Sequence, residues 1–137
     1  MGSFKKVADS WYSKYIRVKN SFELGGEFFC RCISCGTLKH IKDIDNGHFI
    51  SRGHEIHRYN DDNCWPQCKK CNRFKGEEVK FDYEENLISK IGCEAVNLLK
   101  QTRHHECKRS KYDYSEMAKS FRTAFREQCK RKGIMPW

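Results

Sequence analysis

Four cysteines fall in two pairs of identical spacing, Cys32-Ile33-Ser34-Cys35 and Cys68-Lys69-Lys70-Cys71. Two intervening residues let a tight knuckle point both sulfurs inward, so each pair can present two thiolates to one metal. Four thiolates satisfy the tetrahedral preference of zinc and leave no open position, which makes the expected ion structural. Between the pairs lies His48, in the run Asp45-Asn46-Gly47-His48-Phe49-Ile50, and the second pair is followed at once by Asn72-Arg73-Phe74-Lys75. An imidazole titrates near neutral pH and can take a proton from water. The expected arrangement is a zinc frame holding a histidine loop. Cys30 could stand in for Cys32, and Cys64 for Cys68, but neither makes the two-residue knuckle; both are expected as buried free thiols.

The elements that must position these residues read as an α+β fold, a small zinc-bound core flanked by N-terminal and C-terminal helices. From Phe4 to about Phe22, apolar residues at Val7, Trp11, Tyr15, Val18 and Phe22 mark one face of a helix, ended by Leu24-Gly25-Gly26. Residues 28–33 form a short strand entering the first knuckle. His48-Phe49-Ile50 reads as a strand opened by the histidine, and Cys64-Trp65 as a second, with Pro66 turning the chain. A helix starting near Lys69 carries Cys71, Asn72 and Lys75. The stretch from Glu84 to Lys100 is helical in pattern and divided at Gly92. Ser115 is the expected N-cap of a last helix with Met117, Phe121, Ala124 and Phe125 as its apolar stripe, and Gly133 and Pro136 end it. The layout is thus a single domain over 1–137, with a helix over 4–23, the core over 28–80 and helices over 84–133.

One domain is the natural reading of 137 residues, which bury roughly two-thirds of their unfolded surface. Only 38% of residues are hydrophobic and 33% are charged, so the core is modest. A structural zinc can add on the order of 10 kcal/mol, enough to decide folding. The formal charge of +9 favours a polyanionic partner, and nucleic acid precedes membrane because no apolar anchor or membrane-length run is present. Nine cysteines could also mean a secreted disulfide scaffold; the odd count, the paired spacing and the lack of a signal-like apolar core at the N-terminus favour a reducing cytoplasm.

The order of CxxC, His48, Asn63, CxxC and Asn72 resembles the HNH, or ββα-metal, nuclease motif in its H-N-N form. In that family two strands and a helix clamp one divalent ion against a scissile phosphate. The resemblance makes His48 the general base, Asn63 the asparagine that fixes the central loop, and Asn72 a ligand of the catalytic ion. A hard cation, Mg²⁺ or Mn²⁺, suits oxygen ligands and can serve both the phosphate and the leaving oxygen. Many HNH sequences carry Asp or His just before the base, where this chain has Gly47. The second ligand must come from elsewhere: Asp45 is nearest, and His57, Asp61 or Asp62 could contribute.

A closer resemblance, over roughly Val7 to Gly133, is to the NinG (Rap) family of phage recombination proteins. It is carried by Gly47-His48-Phe49-Ile50-Ser51-Arg52-Gly53, Arg58-Tyr59-Asn60-Asp61-Asp62-Asn63, Gln67-Cys68, Cys71-Asn72 and Leu87-Ile88-Ser89-Lys90-Ile91-Gly92. It implies a structure-specific endonuclease acting on branched DNA such as D-loops and Holliday junctions, in the cytoplasm of a bacterial host carrying a phage or prophage. A homodimer is left open.

Arg52, His57, Arg58, Arg73, Lys75, Arg122 and Arg126 are the expected DNA contacts; the arginines and the lysine offer fixed charge to phosphates rather than a useful pKa. His104-His105-x-Cys107 reads as a polar connector before a metal site, and Trp11 and Trp65 as core before base-stacking platforms. Two alternatives stand beside the nuclease. One is a non-catalytic zinc-ribbon DNA-binding module in which His48 and Asn72 only brace a loop. The other is an HNH nuclease of restriction or packaging type.

Overall fold

The computed structural model describes residues 2–74 and 76–137. Its elements run α1 (Gly2–Lys19), β1 (Phe22–Leu24), β2 (Glu27–Arg31), β3 (Leu38–His40), β4 (Asp45–His48), β5 (Cys64–Gln67), α2 (Lys69–Arg73), α3 (Glu77–Ile91), α4 (Cys93–Thr102) and α5 (Lys111–Lys132). Strands β1, β2 and β3 form an antiparallel meander, while β4 and β5 pair antiparallel as a separate sheet. The class is α+β. No helix among the described residues is long and apolar enough to cross a membrane.

Helix α1 is the centre of the packing, and here the sequence reading needs correction. Ala8, Tyr12, Ile16 and Val18 are buried, whereas Val7 is half exposed and Phe22 belongs to β1. A helix covered on two sides has no single stripe. Trp11 meets Phe125 of α5, with ring centroids 5.8 Å apart, while Tyr12 and Ile16 pack with Cys64 of β5. Lys132 of α5 closes the far end of α1, donating to the carbonyls of Val18, Lys19 and Ser21 at 2.7–2.9 Å. Those carbonyls lie at or just past the helix terminus, where the donors of a continuing helix are missing, and Val18 O also accepts from Ser21 N–H and Oγ at 3.1 and 2.7 Å.

Three further expectations shift. His48 closes β4 instead of opening a strand, because Asp45 to His48 pair with Gln67 to Cys64. Pro66 lies inside β5, opposite Asn46; the sheet has only two strands, so the missing N–H costs little, and the Pro66 carbonyl accepts from Ile33 N–H at 2.9 Å. The last helix starts at Lys111, not after Ser115: Ser110 caps it in a reciprocal box with Asp113. Gly92 separates α3 from α4 with φ +90°, as the division at that residue predicts, although α3 begins earlier, at Glu77. Cys30 and Cys64 are fully buried free thiols. Trp11 and Trp65 are partly buried against apolar clusters, and the Trp65 indole donates to Asp62 O at 2.9 Å.

Candidate metal centre and adjoining cleft

The two knuckles meet. The Sγ atoms of Cys32, Cys35, Cys68 and Cys71 lie within 4.8 Å of one another, with Cys35 and Cys68 sulfurs 3.8 Å apart. Zn–S bonds of about 2.3 Å in a tetrahedron put sulfurs about 3.8 Å apart, so the cluster has the size of a tetrathiolate site. Each knuckle is braced by a backbone N–H to its leading sulfur, Cys35 N to Cys32 Sγ at 3.5 Å and Cys71 N to Cys68 Sγ at 3.4 Å. Burial pushes the Cys35 thiol up, but the Thr37 hydroxyl and N–H outweigh it and leave that thiol at about 6. Four thiols at this spacing can hold a structural metal such as zinc. His104, His105 and Cys107 are not brought together with other ligands in any comparable group among the described residues.

The four-cysteine cluster also sets the next element. Cys68 is the N-cap of α2, its sulfur accepting from Cys71 N–H, so the knuckle and the first turn of α2 are one structure. Asn72 follows directly and donates through Nδ2 to Asp45 Oδ2 at 3.0 Å; Lys69 donates to Asp45 Oδ1 at 2.7 Å. Burial pushes the Asp45 carboxyl up, yet Lys69 and Asn72 more than offset it and hold the group below its ordinary value.

Asp45 and Gly47 are two apart in β4 and share a face. A side chain at Gly47 has no room there. A Cβ would sit 2.3 Å from Gln67 Oε1 and 2.6 Å from Gln67 Cβ. Gln67 is buried and its Nε2 donates to Ser34 Oγ at 3.0 Å, while Tyr83 Oη donates to Gly47 O at 2.7 Å. The position before His48 is glycine because Gln67 occupies its space.

Asn63 is fully buried and makes three bonds: Oδ1 accepts from Ile50 N–H at 2.7 Å, and Nδ2 donates to Ile50 O and His57 O, each at 3.0 Å. These tie the beginning of the long loop between β4 and β5 to its far side. His48 Nε2 lies 2.9 Å from Arg58 O on the same loop. A carbonyl only accepts, so Nε2 carries the proton and Nδ1 is the basic nitrogen of the neutral ring.

His48, Asp45 and Asn72 line one cleft of about 580 Å³. Its opposite wall is α1, through Asp9, Ser13 and Arg17. Sequence reasoning missed that wall, although positions 9, 13 and 17 repeat every four residues and mark a polar helical face.

The expected DNA contacts divide by position. Arg52 lines the cleft with a side chain 60% exposed, and Arg73 is exposed just past Asn72. Arg58 is turned inward, its guanidinium hydrogen-bonded to both oxygens of Asp9, and His57 is buried with Nε2 2.8 Å from Thr102 Oγ1. Arg122 and Arg126 are exposed on α5, outside the cleft. Lys75 lies outside the described residues.

The comparisons agree on kinship. The family described as "Bacteriophage Lambda NinG protein" matches residues 1–132. Protein ninG of Escherichia phage lambda is 32% identical over 126 residues, covering 87% of this chain and 61% of that protein. Protein ninG of Salmonella phage P22 is 30% identical over 124 residues, covering 85% and 60%. The chain thus spans about three-fifths of the length of these curated relatives. No solved structure matches it. A match running through the four cysteines, the histidine loop and the helices around them means that the chain belongs to the NinG family.

Proposed function

We propose that this chain is a divalent-metal-dependent DNA endonuclease of HNH type, acting on branched recombination intermediates such as D-loops and Holliday junctions. The observation that carries the reading is His48 in its cleft: Nε2 is committed to the Arg58 carbonyl, which makes Nδ1 the base, and Asp45 and Asn72 line the same cavity. The succession β4, β5, α2, with His48 ending the first strand, Asn63 preceding the second and Asn72 on the helix, supports the assignment.

Asp45 and Asn72 fit a hard cation as oxygen donors, one of them charged, and such an ion completes its shell with water and substrate phosphate. When bound, Mg²⁺ or Mn²⁺ would offset the phosphate charge and stabilise the leaving 3′-oxygen. The chain's own residues do the rest. His48 Nδ1 takes the proton of a water as its oxygen bonds to phosphorus and the P–O3′ bond breaks; the leaving oxygen is protonated from solvent. Arg52 and Arg73 meet phosphates as fixed charges. The thiolate centre takes no part in chemistry and holds α2, and with it Asn72, against β4.

The non-catalytic zinc-ribbon reading has one observation in its favour: Asp45 is already paired with Lys69. One experiment separates the two. Labelled four-way junction or D-loop DNA is incubated with the chain with and without Mg²⁺, beside His48→Ala. The nuclease reading expects Mg²⁺-dependent nicking and a loss of about 10²–10⁴-fold in His48→Ala with DNA affinity retained. Binding without nicking in every arm favours the module.

A further inference from the structure

In a strongly basic chain, one acid stands where it has most influence. Asp9 projects from α1 toward the loop between β4 and β5. Its Oδ1 accepts from Arg58 Nε at 2.9 Å and from Tyr59 Oη at 2.8 Å, and its Oδ2 accepts from Arg58 Nη2. Arg58 has a side chain only 10% exposed, and its Nη1 also donates to Arg52 O at 2.9 Å. The other end of the same residue faces His48: the Arg58 carbonyl accepts from Nε2 at 2.9 Å and lies 3.5 Å from the Cys64 thiol. One arginine therefore joins the N-terminal helix to the imidazole.

We propose that Asp9 is a positioning residue for His48: by clamping the Arg58 guanidinium it fixes the carbonyl that sets the tautomer and direction of the ring. This rests on the reading of His48 as the base. Stability alone is a poor reason for such a pair, because an apolar pair of similar volume often stabilises a fold as well as a buried ion pair does. What the charged pair adds is direction. A carboxylate taking two parallel N–H bonds holds the planar guanidinium in one orientation, which neither an amide nor a lysine reproduces. The carbonyl lies on the same residue as that guanidinium, so freedom at one end becomes freedom at the other. Misplacing a reacting group by about 1 Å can cost about 10²-fold in rate.

The test compares the full chain with Asp9→Asn, Asp9→Glu and the double variant Asp9→Leu with Arg58→Met, which removes both charges together should the single change leave Arg58 buried and unpaired. Two readouts are taken: the ring ¹⁵N shifts of His48, and single-turnover nicking of a Mg²⁺-supplied four-way junction, with DNA affinity measured alongside. The parent ring should be protonated at Nε2. With DNA saturating, Asp9→Asn and the double variant should mix the two tautomers and lose about 10- to 100-fold in single-turnover rate, and Asp9→Glu, which keeps the carboxylate, should recover most of it. A ring unchanged in Asp9→Asn and in the double variant overturns the proposal, even if melting temperature falls, since a merely stabilising contact would do only that. Parental nicking in both variants, where His48→Ala is inactive, overturns it as well. If His48→Ala cuts like the parent, the nuclease reading fails, and the ring shifts still decide whether Asp9 orients the imidazole.

Discussion

Asn63 and Ile50 exchange two hydrogen bonds, side chain to backbone, as two strand residues would exchange them backbone to backbone. The amide of one residue thus extends the β4–β5 pairing past His48. Asn63→Ala strands the Ile50 N–H and two carbonyls in a buried place, at a cost on the order of 3 kcal/mol. Urea unfolding should show that loss, and Asn63→Asp should not repair it, because a carboxylate cannot donate to the two carbonyls. A variant as stable as the parent would mean that the loop does not depend on this residue.

The thiolate cluster predicts one tightly held metal ion per chain by elemental analysis. Cys32→Ser should lose the ion and unfold or aggregate, since metal binding and folding are one transaction at such sites. Cys93→Ser, at an exposed thiol outside the cluster, should melt with the parent. A well-folded metal-free preparation would count against the centre.

Gly47→Ala should destabilise the fold by about 1–3 kcal/mol through overpacking against Gln67. The penalty should shrink in a Gln67→Ala background, because two of the three nearest atoms, Oε1 and Cδ, are then gone. Equal penalties in both backgrounds would show that the clash lies elsewhere.

Acid should weaken the fold in a predictable window. Burial pushes the carboxyls of Asp9 and Glu55 up, but Arg58 and Tyr59 at the first, and Lys5 and Arg109 at the second, outweigh it and hold both below their ordinary values of 3.8 and 4.5. A carboxyl depressed in the folded state contributes stability that is complete above its unfolded pKa and is lost as pH falls through the folded one. These two carboxyls should therefore make the urea midpoint drop most steeply below about pH 4. Asp9→Asn, which has no proton to gain, should show a shallower drop over the same range.

The sequence disclosed the parts of the site that are local. Cys32, Cys35, Cys68 and Cys71 announce themselves by spacing, and the structure brings all four together. The intervals between His48, Asn63 and Asn72 likewise follow from short elements. What spacing could not disclose is convergence from a distance. Asp9 lies 49 residues from Arg58, and nothing local distinguishes it from a solvated helix residue. The helix start is legible in the sequence: Ser110 with Asp113 three residues on makes a capping box, whereas Ser115 is followed three residues on by Ala118, which cannot complete one. The face of α1 misled for a different reason, since periodicity finds one buried side and this helix has two.

Lys132 reaches the end of α1 across 114 residues of chain. That reach imposes an order on assembly. During synthesis the knuckles and the β4–β5 loop emerge long before α5, so α1 has neither its covering helix nor the ammonium that closes its last carbonyls. Contacts so far apart in the chain are paid for late in folding, after their entropy of closure has been met. A nascent chain can therefore bring its four cysteines together while α1 is held on its β5 side alone, the face that meets Phe125 still uncovered.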